Sequence, residues 1–178
     1  ATPLTITEKE ARSESVNSII HYQTVLFLPK GKYYTGYVQM SFKLNNADGF
    51  FIDFNGDSIF DIRINGKQYQ HLDFNSLYSN EAEPLTLHEQ GKLRLDPELL
   101  KLGVEDVNTV VIGFKNRYSS DGNGLHSLID NNNQQFIYCQ NEPYWFNRIQ
   151  PVIDQPDIKG VIKFMIITPN VWKVVSNS

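Results

Sequence analysis

The strongest constraint on the fold is the alternation of side chains in YYTGYVQMSFKL, residues 33–44. Every second residue at the end of this segment is apolar: Val38, Met40, Phe42 and Leu44. Because successive side chains of a strand point to opposite faces of a sheet, this pattern predicts a half-buried strand. These four side chains are expected on its buried face.

Similar short runs of β-branched and aromatic residues recur along the whole chain, separated by Gly, Asn, Asp and Pro. They predict about nine strands: VNSIIHYQTVLFLP, YYTGYVQMSFKL, FFIDF, IFDIRI, KLRLD, NTVVIGF, QFIYC, GVIKFMII and WKVVS. The Asn65-Gly66 dipeptide favours a type I′ hairpin, which joins antiparallel neighbours. The pattern therefore predicts an all-β fold, a mostly antiparallel β-sandwich. With no repeat or linker, residues 1–178 are expected to form a single domain.

Helical signals are sparse and short. Thr7 and Glu10 have the spacing of a capping box for a helix over residues 8–15. The segment DPELLKLG, residues 96–103, has the N-cap, early proline and C-terminal glycine of a second short turn. The polar stretch at residues 116–135 is long for a loop, and it is interpreted either as a functional loop or as a hairpin tip.

Composition excludes several classes of partner. A net charge of -4 leaves no basic surplus for a nucleic acid. The apolar run at residues 161–167 is interrupted by Lys163, so no membrane insertion is expected. Cys139 is the only cysteine, which rules out an internal disulfide and weakly favours an intracellular protein. The compartment itself stays open.

The residues that usually carry catalysis are poorly placed. His88 and Glu89 begin HEQGK, but Lys92 stands where the HExxH zinc motif needs its second histidine. An ammonium group there opposes a dication, so no zinc site and no cofactor is predicted from this chain. The four histidines show no other metal-ligand spacing: His21, His71, His88 and His126.

Other catalytic groups are equally isolated. Cys139 lacks a basic partner in any known motif, and a buried strand cysteine is predicted instead. Asp53 with Asp57, or Asp154 with Asp157, could act as carboxylate pairs, although the second pair is typical of a turn around its proline. The chain contains neither a GxSxG nucleophile motif nor a phosphate-binding P-loop. No catalytic residue is predicted.

Three motifs in order give the chain a family resemblance. They are NRYSSDGNGLHSLID at residues 116–130, IYCQNEP at 137–143 and RIQPVIDQPDIKG at 148–160. Together they resemble the N-terminal β domain of the aminopeptidase N family of zinc metallopeptidases. Supporting matches run from LPKGKYYTGYV, residues 28–38, to ITPNVWKVVSN, residues 167–177, and cover nearly the whole chain.

The resemblance implies a saddle-like β-sandwich that does not itself hold the zinc. In that family the domain packs on the catalytic domain and lends a loop to the substrate pocket. By position, Gln140 and Glu142 correspond to the Q-x-E element that anchors the free amino group of a peptide. A carboxylate pairs with an ammonium, and an amide carbonyl accepts a second N–H.

The chain also departs from the family pattern. Where the family usually has F-P-C-F-D, this sequence has Gln150, Pro151, Val152, Ile153 and Asp154. The loss of two aromatic residues and a cysteine is expected to alter whatever surface they form. The HExxH motif and the G-A-M-E-N substrate loop of the family are absent from the sequence.

Two functions are therefore expected as alternatives. In the first, the chain is a non-catalytic structural subunit that contacts protein partners through Tyr144, Trp145, Phe146 and Gln150, although the three aromatics also suit core packing. In the second, it is the N-terminal domain of an active zinc aminopeptidase and helps to bind peptide N-termini. A carbohydrate-binding sandwich, a third alternative, rests on architecture alone.

Overall fold

A computed structural model describes residues 4–71, 88–89 and 91–176. One α-helix, two 3-10 turns and eleven strands are found there. In chain order these elements are α1 (Ile6–Ser15), β1 (Ile20–Phe27), β2 (Tyr33–Lys43), β3 (Ile52–Asp53), β4 (Ser58–Ile64), β5 (Lys67–His71), β6 (His88–Glu89), β7 (Lys92–Leu93), η1 (Pro97–Leu99), β8 (Val107–Arg117), β9 (Gly124–Ile129), β10 (Gln135–Gln140), η2 (Phe146–Arg148) and β11 (Gly160–Ile167).

Six strands form the main sheet in the order β11-β1-β2-β8-β4-β5. All neighbours are antiparallel except β1 and β11, which run parallel with Ile20 opposite Gly160. Asn65 and Gly66 both have positive φ, at 51° and 81°, in the turn between β4 and β5, as a type I′ hairpin requires. The prediction of an all-β, mostly antiparallel fold is confirmed.

Two smaller sheets flank the main one. β9 and β10 form a hairpin, and β3, β7 and β6 form a three-stranded sheet. The nine predicted strands did not include β6 and β9, and β5 was indicated only as the second arm of the Asn65-Gly66 hairpin. β6 has two residues and is too short to show alternation. The stretch 116–135 is therefore not one loop: β8 extends to Arg117, and β9 occupies residues 124–129.

The core lies on one face of the main sheet. The four apolar residues predicted from the alternation in β2 are all buried: Val38, Met40, Phe42 and Leu44. Aromatic side chains join them, with Phe114 in edge-to-face contact with both Tyr34 and Phe54. Gly36 in β2 makes room for this packing, because a Cβ there would lie 2.6 Å from the Phe114 ring.

Helix α1 begins two residues earlier than the sequence pattern predicted. Its N-cap is Thr5, whose side chain accepts a hydrogen bond from the Glu8 N–H, while the Glu8 carboxylate accepts from the Thr5 N–H. The same S/T-x-x-E spacing occurs at Thr5-Glu8 and Thr7-Glu10, and only Thr5 has the extended backbone of an N-cap. The second predicted turn is confirmed as η1, capped by Asp96.

A buried ion pair fastens α1 to the sheets. The Arg12 guanidinium is fully buried, donates to Asp53 Oδ2 at 2.7 Å and to Gln155 Oε1 at 2.9 Å, and lies over the Phe51 ring at 4.2 Å. Asp53 Oδ2 also accepts the Asp154 N–H at 2.8 Å. Burial raises the pKa of Asp53, and Arg12 opposes this shift. Asp53 therefore has a structural role. Asp57, which the sequence offered as a possible carboxylate partner, lies 4.0 Å from Arg117.

The predicted strand WKVVS is not a strand in the structure. Residues 171–176 follow a turn at Pro169, and Trp172 donates its N–H to the Pro169 carbonyl. Residues 173–175 form no backbone hydrogen bond within the part of the chain that the structure describes. A sequence with strand preference lies here without a neighbouring strand to pair with. No helix among the described residues is long and apolar enough to cross a membrane.

Candidate functional site

The predicted anchoring residues lie where the β9-β10 hairpin ends. Gln140 is the last residue of β10, opposite Gly124 of β9, and Glu142 follows two residues later. Both side chains are exposed, and neither has a hydrogen-bond or ion-pair partner within the described residues. The peptide bond between Glu142 and Pro143 is cis. We call residues 140–146 the anchor loop.

Asn147 in η2 holds the anchor loop against the body of the domain. Its side-chain amide donates to the Tyr144 carbonyl at 2.9 Å and to Asp154 Oδ2 at 2.7 Å. Its own amide oxygen accepts from Asn55 at 2.7 Å. Within the loop, the Trp145 N–H donates to the Asn141 carbonyl. These hydrogen bonds therefore hold the loop on the domain, while the side chains of Gln140 and Glu142 remain exposed and without a described partner.

Arg148 connects the anchor loop with the turn before β9. It donates to Asp121 Oδ2 at 2.8 Å, which lowers the pKa of Asp121, and its guanidinium lies over the Trp145 ring at 5.2 Å. Gly124 has a φ of 72°, and a Cβ there would lie 3.2 Å from the Arg148 Cβ. The glycine of the family motif thus allows a close approach beside the loop.

The four predicted contact residues separate into two groups. Tyr144 is exposed, and Trp145 and Phe146 are half-buried, with Phe146 packed against the core. Gln150 is fully buried in the domain, so the prediction that it contacts a partner is wrong. The neighbouring Val152 is buried as well, because this segment bridges to Asp53 of β3. The departures from the family pattern therefore change the core.

A large apolar groove opens beside the anchor loop. Its volume is about 910 Å³, and it lies between β10, residues 171–176 and one face of β1 and β11. Exposed apolar side chains surround it, including Phe136, Phe164 and Val175. We call this feature the β10 groove. The sequence patterns did not reveal it, because it is formed by segments that are far apart in the chain.

Metal and nucleophile candidates remain scattered. The described residues contain no group of three His, Cys, Asp or Glu side chains that could hold a metal ion; the side chains of His71, His88 and Glu89 lie outside them. His126 Nδ1 accepts the Gly122 N–H, which leaves that nitrogen without a lone pair for a metal. Cys139 is exposed on β10, so the prediction of a buried cysteine is wrong.

Comparisons with known proteins agree with the motif order. Aminopeptidase N from Streptomyces lividans is 36% identical over 62 residues, which are 34% of this chain and 7% of that protein. The M1 zinc metallopeptidase from Deinococcus radiodurans shares the fold, with a TM-score of 0.61 and 14% identity over 89% of this chain. The resemblance to the aminopeptidase N family is confirmed.

This aminopeptidase N-like chain corresponds to only part of its relatives. It spans 34% of the Deinococcus radiodurans structure. It spans 23% of native yeast LTA4 hydrolase, with a TM-score of 0.60 and 16% identity over 85% of this chain. No family model matches the chain. The observed share fits one N-terminal domain of a longer metallopeptidase.

Proposed function

We propose that this aminopeptidase N-like chain is a non-catalytic interaction domain that packs against the catalytic domain of a zinc metallopeptidase. The observation that carries the proposal is the apolar surface around the β10 groove. Large exposed apolar patches on a domain usually mark an interaction site. The relatives add support, since in them a domain of this fold is about a third or less of a longer chain.

The proposal assigns the zinc to the partner. No group of ligands for a metal occurs among the described residues. When bound in a catalytic domain, zinc activates the water that attacks a peptide bond. The role of this chain is then to position substrate and to complete the assembly.

A second, finer role is favoured by the exposed and unpaired side chains of the anchor loop. Gln140 and Glu142 offer an amide carbonyl and a carboxylate to the free amino group of a peptide, provided that the loop faces the partner's active site. An ammonium group suits both acceptors, and a hydrogen bond to a charged group contributes about 1.5–3 kcal/mol. The alternative, a purely structural module, leaves these two residues without a function.

The assembly is tested on the native protein. It is captured with an antibody to residues 91–176, and its intact mass, its native mass and its zinc content are measured. We expect the domain to be found either within a larger zinc-containing polypeptide or bound to one. A zinc-free particle of 20.5 kDa in both mass measurements would contradict the proposal.

The anchoring role is tested in that native assembly with Glu142→Ala. We expect kcat/KM for peptides with a free N-terminus to fall about 10-fold to 100-fold, as the loss of one charged hydrogen bond implies. Glu98→Ala, which changes an exposed carboxylate in η1, is the matched control. Unchanged hydrolysis by Glu142→Ala with intact assembly would assign the chain a structural role alone.

A further inference from the structure

The lining of the β10 groove shows how its walls are oriented. Residues 133–139 all line it without interruption, as do residues 171–176. From β11, by contrast, only Ile162, Phe164 and Ile166 take part. Side chains of a strand alternate between faces, so an alternating set means that a face borders the groove. Uninterrupted sets mean that the backbone edges of β10 and of 171–176 border it.

No described strand pairs with either bordering edge. β10 pairs with β9 alone among the described strands, so its other edge faces the groove without a described partner. Residues 173–175 form no backbone hydrogen bond there either. A two-stranded hairpin is only marginally stable by itself, and a third strand is the usual means of support. The two edges therefore flank a space into which they direct backbone N–H and C=O groups that have no hydrogen-bond partner among the described residues.

The floor and the charges of the groove restrict what fits. Leu26 and Leu28 are buried at its floor, together with Ile149. Among the described residues that line the groove, the charged side chains are Lys30 and Lys173, and no carboxylate is present. An occupant with apolar side chains on one face and an acidic group near an end complements this lining.

We propose that the β10 groove is a β-strand-binding site, which takes an extended polypeptide segment with alternating apolar residues and a terminal acidic residue. The inserted strand pairs with β10 on one edge and with residues 173–175 on the other, and its apolar face covers the floor. Strand addition of this kind obtains affinity from main-chain hydrogen bonds and specificity from alternate side chains. This inference rests on the proposed function, since it specifies how the partner docks.

A small apolar molecule suits the groove less well than a strand. The volume of about 910 Å³ lies within the range of ligand cavities. However, a small apolar anion would leave the open backbone groups of β10 and of 173–175 without partners. A strand satisfies both these groups and the apolar floor.

The test uses the full chain and a defined peptide. The probe is an eight-residue peptide with blocked ends, in which valine and threonine alternate and glutamate occupies one end. Amide hydrogen exchange is followed with and without millimolar peptide. We expect exchange at residues 136–140 and 173–175 to slow at least about tenfold, because both segments gain backbone hydrogen bonds. Residues of β4 serve as the internal reference.

Two controls separate pairing from simple burial. The same peptide, N-methylated at alternate amides, keeps its side chains but loses the donors of one edge, and we expect its protection to be lost. Lys173→Glu should weaken binding of the glutamate peptide and favour a lysine-ended one. Lys163→Glu changes an exposed residue of β11 outside the lining and should do neither.

Three outcomes would overturn the inference. Equal protection by the N-methylated peptide would show that backbone pairing is not the basis of binding. Protection by dodecanoate but not by peptide would assign the groove to a small apolar anion. Protection that rises with protein concentration alone would assign it to a second copy of the chain. None of these outcomes decides whether the native assembly contains zinc, so the proposed function is judged separately.

Discussion

Gln150 and Gln155 are both buried, but among the described residues only Gln155 has hydrogen-bond partners for its side chain. Both amide atoms of Gln150 are buried without a partner among the described residues. Gln155, in contrast, accepts from Arg12 and donates to Ser13 and to the Lys9 carbonyl. A buried polar group left without a partner costs about 1–3 kcal/mol. Gln150 occupies a position where the family pattern has an apolar side chain.

Replacing each glutamine by methionine, which has a similar unbranched shape, should therefore have opposite effects. We expect Gln150→Met to raise the free energy of unfolding by about 1 kcal/mol, and Gln155→Met to lower it by about 1–3 kcal/mol. Urea denaturation of the two variants and of the unmodified chain measures both. A loss of stability in Gln150→Met would mean that its amide has a partner, such as a buried water.

The Arg12-Asp53 pair is expected to be important because neither group can be rehydrated when its partner is lost. Arg12→Met should lower the free energy of unfolding by about 3–5 kcal/mol, since the buried Asp53 carboxylate loses its counter-ion. Arg117→Met is the control, because the exposed Arg117-Asp57 pair should contribute less than about 1 kcal/mol. Urea denaturation compares them.

A second substitution tests the cause. Asp53→Asn in the Arg12→Met background removes the uncompensated charge and keeps an acceptor, so it should restore part of the lost stability. No recovery in the double variant would indicate that Arg12 acts through packing on Phe51 rather than through charge.

At the scale of elements, α1 is stabilised by the Glu8 carboxylate, which makes two interactions. Glu8 completes the capping box and pairs with Lys92, the first residue of β7 in the three-stranded sheet. The hydrogen bond from Lys92 is the main cause that lowers the pKa of Glu8 to about 2. Because the folded state favours the carboxylate, the stabilisation is complete above the ordinary pKa of 4.5 and is lost as the pH falls through about 2.

Thermal unfolding of the unmodified chain and of Glu8→Gln tests this dependence. We expect the difference in Tm to be largest above pH 4.5 and to shrink towards pH 2. Glu10→Gln changes an exposed residue of the same helix outside the capping box and is the control. A difference that stays constant across this range would mean that Glu8 acts through packing and not through its charge.

The elements also show what sequence alone can predict. The alternation in β2 was sufficient because a period of two depends only on the strand itself. The start of α1 was misplaced, since two overlapping capping patterns differ only in backbone geometry. The segment WKVVS has strand preference but no partner strand, and pairing is a non-local property that no local pattern contains.

For the candidate site, sequence could place the anchor loop but not its surroundings. The family motifs located Gln140 and Glu142, and the structure places both side chains in the open. The burial of Gln150 and the exposure of Cys139 depend on segments far away in the chain, as does the β10 groove. None of these three features produces a periodic pattern in the sequence of its own segment.

On the scale of the whole molecule, the exposed apolar surface should dominate the behaviour of the isolated chain. Phe164 is 44% exposed and Val175 is 94% exposed, and both line the β10 groove. We expect the double substitution Phe164→Lys, Val175→Lys to reduce the fluorescence of a bound hydrophobic dye by about half. It should also reduce self-association in sedimentation velocity without changing Tm.

The control places the same change elsewhere. Val104→Lys with Leu102→Lys alters exposed apolar residues in the loop before β8, away from the groove lining. This double variant should bind the dye like the unmodified chain. Equal losses in both double variants would mean that apolar exposure is spread over the molecule and is not concentrated at one docking surface.

The parallel pairing of β1 with β11 also determines when the main sheet can be completed during protein synthesis. Arg12 reaches Gln155 across 143 residues, and β1 pairs with residues 160–167. A ribosome adding about 5–20 residues per second needs on the order of ten seconds to cover that distance. Throughout this interval, β1 has emerged with one edge unpaired. The nascent chain therefore presents an unpaired strand edge early in synthesis, and such an edge is a site where another chain can pair.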